Sequence, residues 1–152
     1  MYRSLVLSSV LFLIGLVFSG CGGNKLTPVT GTVTLDGKPV AKATVNFSPE
    51  AGGEGGAIGE TDETGKYTLR FLKGGVSGAV PGKYIVTISK METVDSGKTE
   101  PDMYDPTKKM PVMIAKNALP EKYNLFDKPV LNATIVAGKN PPVDFQLDSK
   151  SK

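Results

Sequence analysis

The sequence predicts an all-β fold, a Greek-key β-sandwich of about seven strands, and three observations carry that expectation. Short runs alternate apolar and polar residues with a period of two. Turn-forming residues punctuate them: 18 glycines and 11 prolines stand among 152 residues, and helix-favouring stretches are few. One cysteine excludes any internal disulfide, so a packed core must hold the domain together.

The elements follow in order. From Val29 to Leu35, "VTGTVTL" places apolar residues or glycine at odd positions and threonine at even ones, a strand with one wet face. Asp36-Gly37 comes next, suited to a type I′ turn because both central residues there need positive φ. In "VAKATVNF", Ala41, Ala43, Val45 and Phe47 share one face, with Lys42, Thr44 and Asn46 on the other, so the two runs are expected to form a hairpin. A weaker strand is expected near Ala57 to Thr61, then one through Tyr67, Leu69 and Phe71, and one through Tyr84, Val86 and Ile88. Leu131, Ala133, Ile135 and Ala137 form a further set, and Val143, Phe145 and Leu147 the last.

The turns between them are equally readable. Asp62 and Gly65 bracket a tight turn in "TDETGKY", and Pro81-Gly82 opens the strand at Tyr84. Glu60, Asp62 and Glu63 would have to supply a calcium loop with oxygen ligands at fixed places over about 12 residues and a closing glutamate. That pattern is absent, which leaves the turn.

Ahead of the first strand stands "MYRSLVLSSVLFLIGLVFSG", with Arg3 as its one charge and an apolar run from Leu5 to Phe18. A basic start, an apolar middle and small residues at the end make a secretory signal, and the run is short for a membrane span. Ser19, Gly20 and Cys21 resemble the bacterial lipobox, with Phe18 where leucine is usual. The resemblance implies cleavage between Gly20 and Cys21 and lipidation of Cys21, with acyl chains of the palmitate kind and no other cofactor. A free thiol after ordinary cleavage, or an uncleaved signal anchor, are the competing readings; an exported chain with one unpaired cysteine is unusual in an oxidising compartment. The expected organisation is a signal peptide over 1–20, a lipidated tether over 21–28, a sandwich domain over 29–148 and a tail over 149–152. Gly22 lacks the aspartate that retains some lipoproteins in the inner membrane, which leans toward the outer membrane by resemblance.

Three phrases together resemble the carboxypeptidase regulatory-like domain, a transthyretin-like sandwich. They are Gly31 and Val33 with Gly37, Pro39, Val40, Ala43 and Val45; Thr61, Asp62, Gly65 and Tyr67; and Pro81, Gly82, Tyr84 and Val86. "LPEKY", Leu119 to Tyr123, also resembles a phrase that precedes the final strands in small bacterial lipoproteins carrying this domain. The resemblance implies a module and no chemistry of its own.

Catalysis is not expected. There is no histidine, which removes Ser-His-Asp and Cys-His hydrolysis, the usual zinc sites and imidazole proton transfer. A paired-carboxylate glycosidase remains chemically open, but the acids sit in turns and no cleft is evident. Charge argues neither for a nucleic-acid partner nor for strong attraction to anionic lipid: without Arg3, seventeen basic residues face fifteen acidic ones, and the lysines are scattered between carboxylates. The long connection from Met91 to Lys128 is too apolar for disorder. It is expected to cover one end of the sandwich as a flap, the alternative being a binding surface with Tyr104 and Tyr123 as candidate contacts for an envelope protein or glycan. The sequence thus points to an exported, membrane-anchored, non-enzymatic envelope module with a binding or structural role, or to an accessory subunit of a separate envelope enzyme or transporter.

Overall fold

A computed structural model describes residues 25–150. The signal segment, Gly20 and Cys21 lie outside the described residues. The fold is all-β, with eleven strand segments and one 3₁₀ turn in place of about seven strands. The strands are β1 (Thr30–Leu35), β2 (Lys38–Pro39), β3 (Thr44–Pro49), β4 (Ala57–Glu60), β5 (Lys66–Thr68), β6 (Arg70–Phe71), β7 (Gly82–Ser89), β8 (Met91–Pro101), β9 (Lys109–Asn117), β10 (Leu131–Ile135) and β11 (Phe145–Leu147).

Two sheets face each other. One has the order β10-β7-β3-β4-β6, antiparallel throughout. The other is centred on β1, which pairs with parallel β11 and with antiparallel β5 and β2. Alternation decides what goes inside: Val33, Val45, Phe47, Tyr84, Val86, Ile88, Phe145 and Leu147 are all buried, each on the expected face. Phe47 is the centre, with ring centroids 5.6 Å from Tyr84, 6.1 Å from Phe145 and 6.5 Å from Tyr67. Each such side chain contributes roughly 1.5–3 kcal/mol on leaving water, so this inter-sheet layer holds the fold.

Several expectations need correction. The runs 29–35 and 40–47 do not form one hairpin. Asp36 (φ 49) and Gly37 (φ 78) do make the turn, but the returning strand β2 lasts only two residues. The chain then swings through Lys42, at φ 56, and β3 joins the opposite sheet. The run Tyr67 to Phe71 is likewise divided, β5 pairing with β1 and β6 with β4. Ala137 lies beyond the end of β10 and is exposed. At the N-terminal side, Thr27 belongs to the domain and not to a free tether: it is buried, and its N–H donates to the Ala79 carbonyl at 2.8 Å. Ser149 of the expected tail donates its N–H to the Asp36 carboxylate at 3.1 Å.

The motif residues each have a structural task. Gly31 faces the Val143 carbonyl so closely that an added Cβ would lie 1.9 Å from that oxygen. The Tyr67 hydroxyl donates to the same carbonyl at 2.6 Å. Burial, and then the charge of Asp144, push that phenol well above its ordinary range, so it stays a donor. Tyr84, also raised by burial, donates its hydroxyl proton to the Val80 carbonyl at 2.6 Å and lies 3.1 Å from the Gly55 carbonyl oxygen, so it sits between two loops at one end of the sandwich. The Asp62 carboxylate accepts from Thr64 N–H, Thr64 hydroxyl and Lys66 N–H, the expected turn. The Thr64 hydroxyl is the first cause of a carboxyl pKa held below its usual value.

Candidate functional site

The stretch from Met91 to Asn117, expected as part of a flap, is a long antiparallel hairpin of β8 and β9. Together the two strands form a sheet of their own, separate from both sandwich sheets. The sequence reasons are local. Met110, Val112 and Ile114 alternate along β9 on the face that meets Val94 and Glu92 from β8, while Met113 and Ala115 share the other face with Asp95 and Thr93. Glu92 lies directly opposite Lys116, an opposite-charge cross-strand pair.

The hairpin is fastened at its base. Asn117 Oδ1 accepts the N–H of Lys90 at 2.9 Å and that of Leu119 at 3.2 Å, and the Ala118 N–H donates to the Lys90 carbonyl at 2.7 Å. Midway, between Asp95 and Thr99, β8 bulges. Gly97 takes φ 73 there, and its N–H is held by the Asp95 carboxylate.

The tip, between Pro101 and Lys109, is built by two aspartates. Asp102 Oδ1 accepts the N–H groups of Tyr104 (2.7 Å) and Asp105 (3.1 Å). Asp105 in turn accepts the Thr107 hydroxyl and N–H, the first of which is the main cause of its lowered pKa. Lys108 closes the loop by accepting the Asp102 N–H on its carbonyl at 2.9 Å. Between these bonds Met103 and Tyr104 stand 90% and 94% exposed. Met91, Met110, Met113 and Ile114 are also exposed. A self-supporting tip therefore displays an aromatic ring and flexible thioethers to solvent, the residue types of adaptable contact surfaces.

Of the two candidate contacts, the structure separates one from the other. Tyr104 is on the tip. Tyr123 is buried, 5% exposed, in the 3₁₀ turn Glu121–Tyr123. Its hydroxyl accepts the Asp148 N–H at 2.9 Å and lies 3.1 Å from an Asp148 carboxylate oxygen. Lys122 binds the other carboxylate oxygen of Asp148 at 2.8 Å and lies over the Tyr123 ring. Lys122, followed by Tyr123, holds the Asp148 carboxyl below its usual pKa. With Leu119 also buried, the "LPEKY" phrase is a clamp on the end of β11, and the flap shrinks to Leu119 and Tyr123.

Other concavities are shallow. A groove of about 710 Å³ along β4 and β5 is lined by Ile58, Glu60, Lys66 and Arg70. Among the described residues no group of three or more His, Cys, Asp or Glu is placed to hold a metal ion. What sequence reasoning missed was the hairpin, although its signals were present: the alternation at Met110, Val112 and Ile114, and the turn pair Asp105-Pro106. No protein-family model matches the chain, and no curated protein or solved structure is significantly similar to it.

Proposed function

We propose that this chain is an exported, lipid-anchored, non-enzymatic module of the cell envelope, which holds the β8–β9 hairpin as a contact surface for an envelope protein or glycan. The observation that carries the reading is the hairpin itself, with Met103 and Tyr104 turned to solvent on a tip braced by Asp102 and Asp105. A second feature supports it. β7 starts at Gly82, beside the incoming chain near Leu26, and ends at Ser89, one residue before the hairpin. Eight residues of strand, about 26 Å at roughly 3.3 Å each, thus separate the N-terminal end from the hairpin base. An anchor at Cys21 would place the hairpin at the far end. The likeness to carboxypeptidase regulatory-like domains belongs to this proposal, supported by the structural tasks of Gly31, Asp62, Tyr67 and Tyr84.

Two measurements test it. Intact mass and membrane partitioning of the full chain, wild type beside Cys21→Ala, should show a wild type that loses residues 1–20, gains lipid mass and pellets with membranes, and a variant that does none of these. Photocrosslinking from position 104 in the native envelope should then give a discrete adduct that weakens on Met103→Ala. An anchored protein whose position 104 meets nothing but solvent removes the binding role.

A further inference from the structure

The N-terminal end of the sandwich differs in character from the hairpin end. Thr27 bridges to Ala79, and Leu26 lines a recess with Phe71, Pro81 and Lys83. Around this point gather the β3–β4 loop, the 71–81 segment and the β10–β11 loop. Phe71 accepts the Gly75 N–H on its carbonyl and donates its own N–H to the Val76 carbonyl, which closes the 72–75 turn, and Lys73 of that turn lines the same recess as Leu26. Gly74 (φ 96) and Gly75 (φ 67) make the reversal. Three apolar side chains from these loops are turned to solvent: Leu72 at 59%, Val76 at 57% and Val136 at 52%.

Lysines stand among them. Lys73, Lys83 and Lys139 lie in or next to the same loops, and Lys25 precedes Leu26. The acids there are Glu50, Glu54 and Asp144; Glu54 already pairs with Lys73, and Asp144 accepts the Thr32 N–H at 2.7 Å. Apolar tips with flexible ammonium groups beside them are the make-up of an interfacial surface, where the tips enter the acyl boundary and the lysines meet headgroup phosphates. Reach fits as well. Six peptide steps separate Cys21 from Thr27, so the Cys21 backbone can lie at most about 22 Å from the point where the chain joins the sheet.

We propose that this end of the sandwich is a bilayer-facing surface, with Leu72, Val76 and Val136 seated at an anionic headgroup layer and the hairpin turned away from it. The inference rests on the lipid-anchor reading and deepens it, since a lipid alone would leave the domain free to tumble on its tether.

The test uses the full lipidated chain in vesicles of phosphatidylcholine and phosphatidylglycerol, with cysteine placed singly by Leu72→Cys, Val76→Cys or Tyr104→Cys. If Cys21 carries lipid, the introduced thiol is the one free thiol in the molecule. Labelling by a membrane-impermeant maleimide should be several-fold slower at 72 and 76 than at 104, and detergent should abolish the difference. Omitting phosphatidylglycerol should reduce the protection. Equal labelling at all three positions in anchored protein overturns the surface and leaves the anchor standing. Protection found in the native envelope but not in vesicles also overturns it, because a protein then covers this end. Labelling of the wild type at Cys21 shows that the anchor reading itself fails, and the surface falls with it.

Discussion

Thr61→Val tests the corner at which the chain changes sheets. Thr61 is 3% exposed and Ala43 fully buried. The Ala43 N–H donates to Thr61 Oγ1 at 2.8 Å, the Thr61 N–H returns to the Ala43 carbonyl at 2.9 Å, and the Lys42 N–H donates to the Thr61 carbonyl. Valine has nearly the same shape, so packing survives, but the buried Ala43 N–H then loses its acceptor. An unsatisfied buried donor costs about 1–3 kcal/mol. For a domain of this size each kcal/mol lowers Tm by roughly 4 °C, so a fall of about 4–12 °C is expected by circular dichroism. Thr61→Ser keeps the hydroxyl and loses one methyl, about 0.8 kcal/mol. The serine variant should therefore be the more stable of the two. A valine variant equal to wild type, or serine less stable than valine, would refute the hydrogen-bond argument.

The other local predictions use the same assay. Gly31→Ala should cost about 3 kcal/mol or more, because its Cβ meets backbone at Val143 rather than a movable side chain, whereas Gly37→Ala, with open space but φ 78, should cost only about 1 kcal/mol. Asp62 has a folded pKa below its ordinary 3.8, so its contribution is complete above that value and is lost as pH falls below it. The stability gap between wild type and Asp62→Asn should accordingly be widest above pH 3.8 and close as the solution is acidified further; a gap that widens in acid would contradict the sign. Tyr123→Phe should raise hydrogen exchange at the Asp148 amide, which loses its acceptor, with little change in exchange at the Phe47 amide.

How much of this was legible in the sequence depends on range. Local facts were: the period-two faces named Val45, Phe47, Tyr84, Val86 and Ile88 as core, and Asp36-Gly37 and Asp62–Gly65 as turns. Sheet membership was not, because a strand alternates in the same way whichever sheet it joins. The switch at Lys42 carries no glycine to announce it, and the split within 66–71 falls inside one unbroken alternation. Tyr104 and Tyr123 looked equivalent for a related reason: each is an aromatic in a long connection, and only the position of Asp148 decides that Tyr123 is a core residue. The flap failed on a general expectation, that apolar residues on long connections seek the core. Here β8 and β9 pair with each other and leave their outer edges to solvent, so the hairpin keeps its methionines and Ile114 without a sandwich to cover them.

That independence makes a stricter prediction possible. The Ala118 N–H reaches the Lys90 carbonyl at 2.7 Å, so the two ends of the hairpin are already neighbours and 91–117 can be replaced by an Asn-Gly turn. The replacement removes the two bonds accepted by Asn117, worth about 1 kcal/mol each at a half-exposed site. It also relieves the chain of Met91, Met110, Met113 and Ile114 as exposed apolar surface. Leu119 and Tyr123 stay, and with them the contacts that close the core above β11. The shortened chain should thus unfold cooperatively within about 8 °C of the full one, taking roughly 4 °C per kcal/mol, and should lose any adduct formed through position 104. Loss of the folded state on this replacement would mean that the hairpin belongs to the cooperative unit. The exposed methionines would then mark an element needed for folding, and the case for a displayed contact surface would fall with that result.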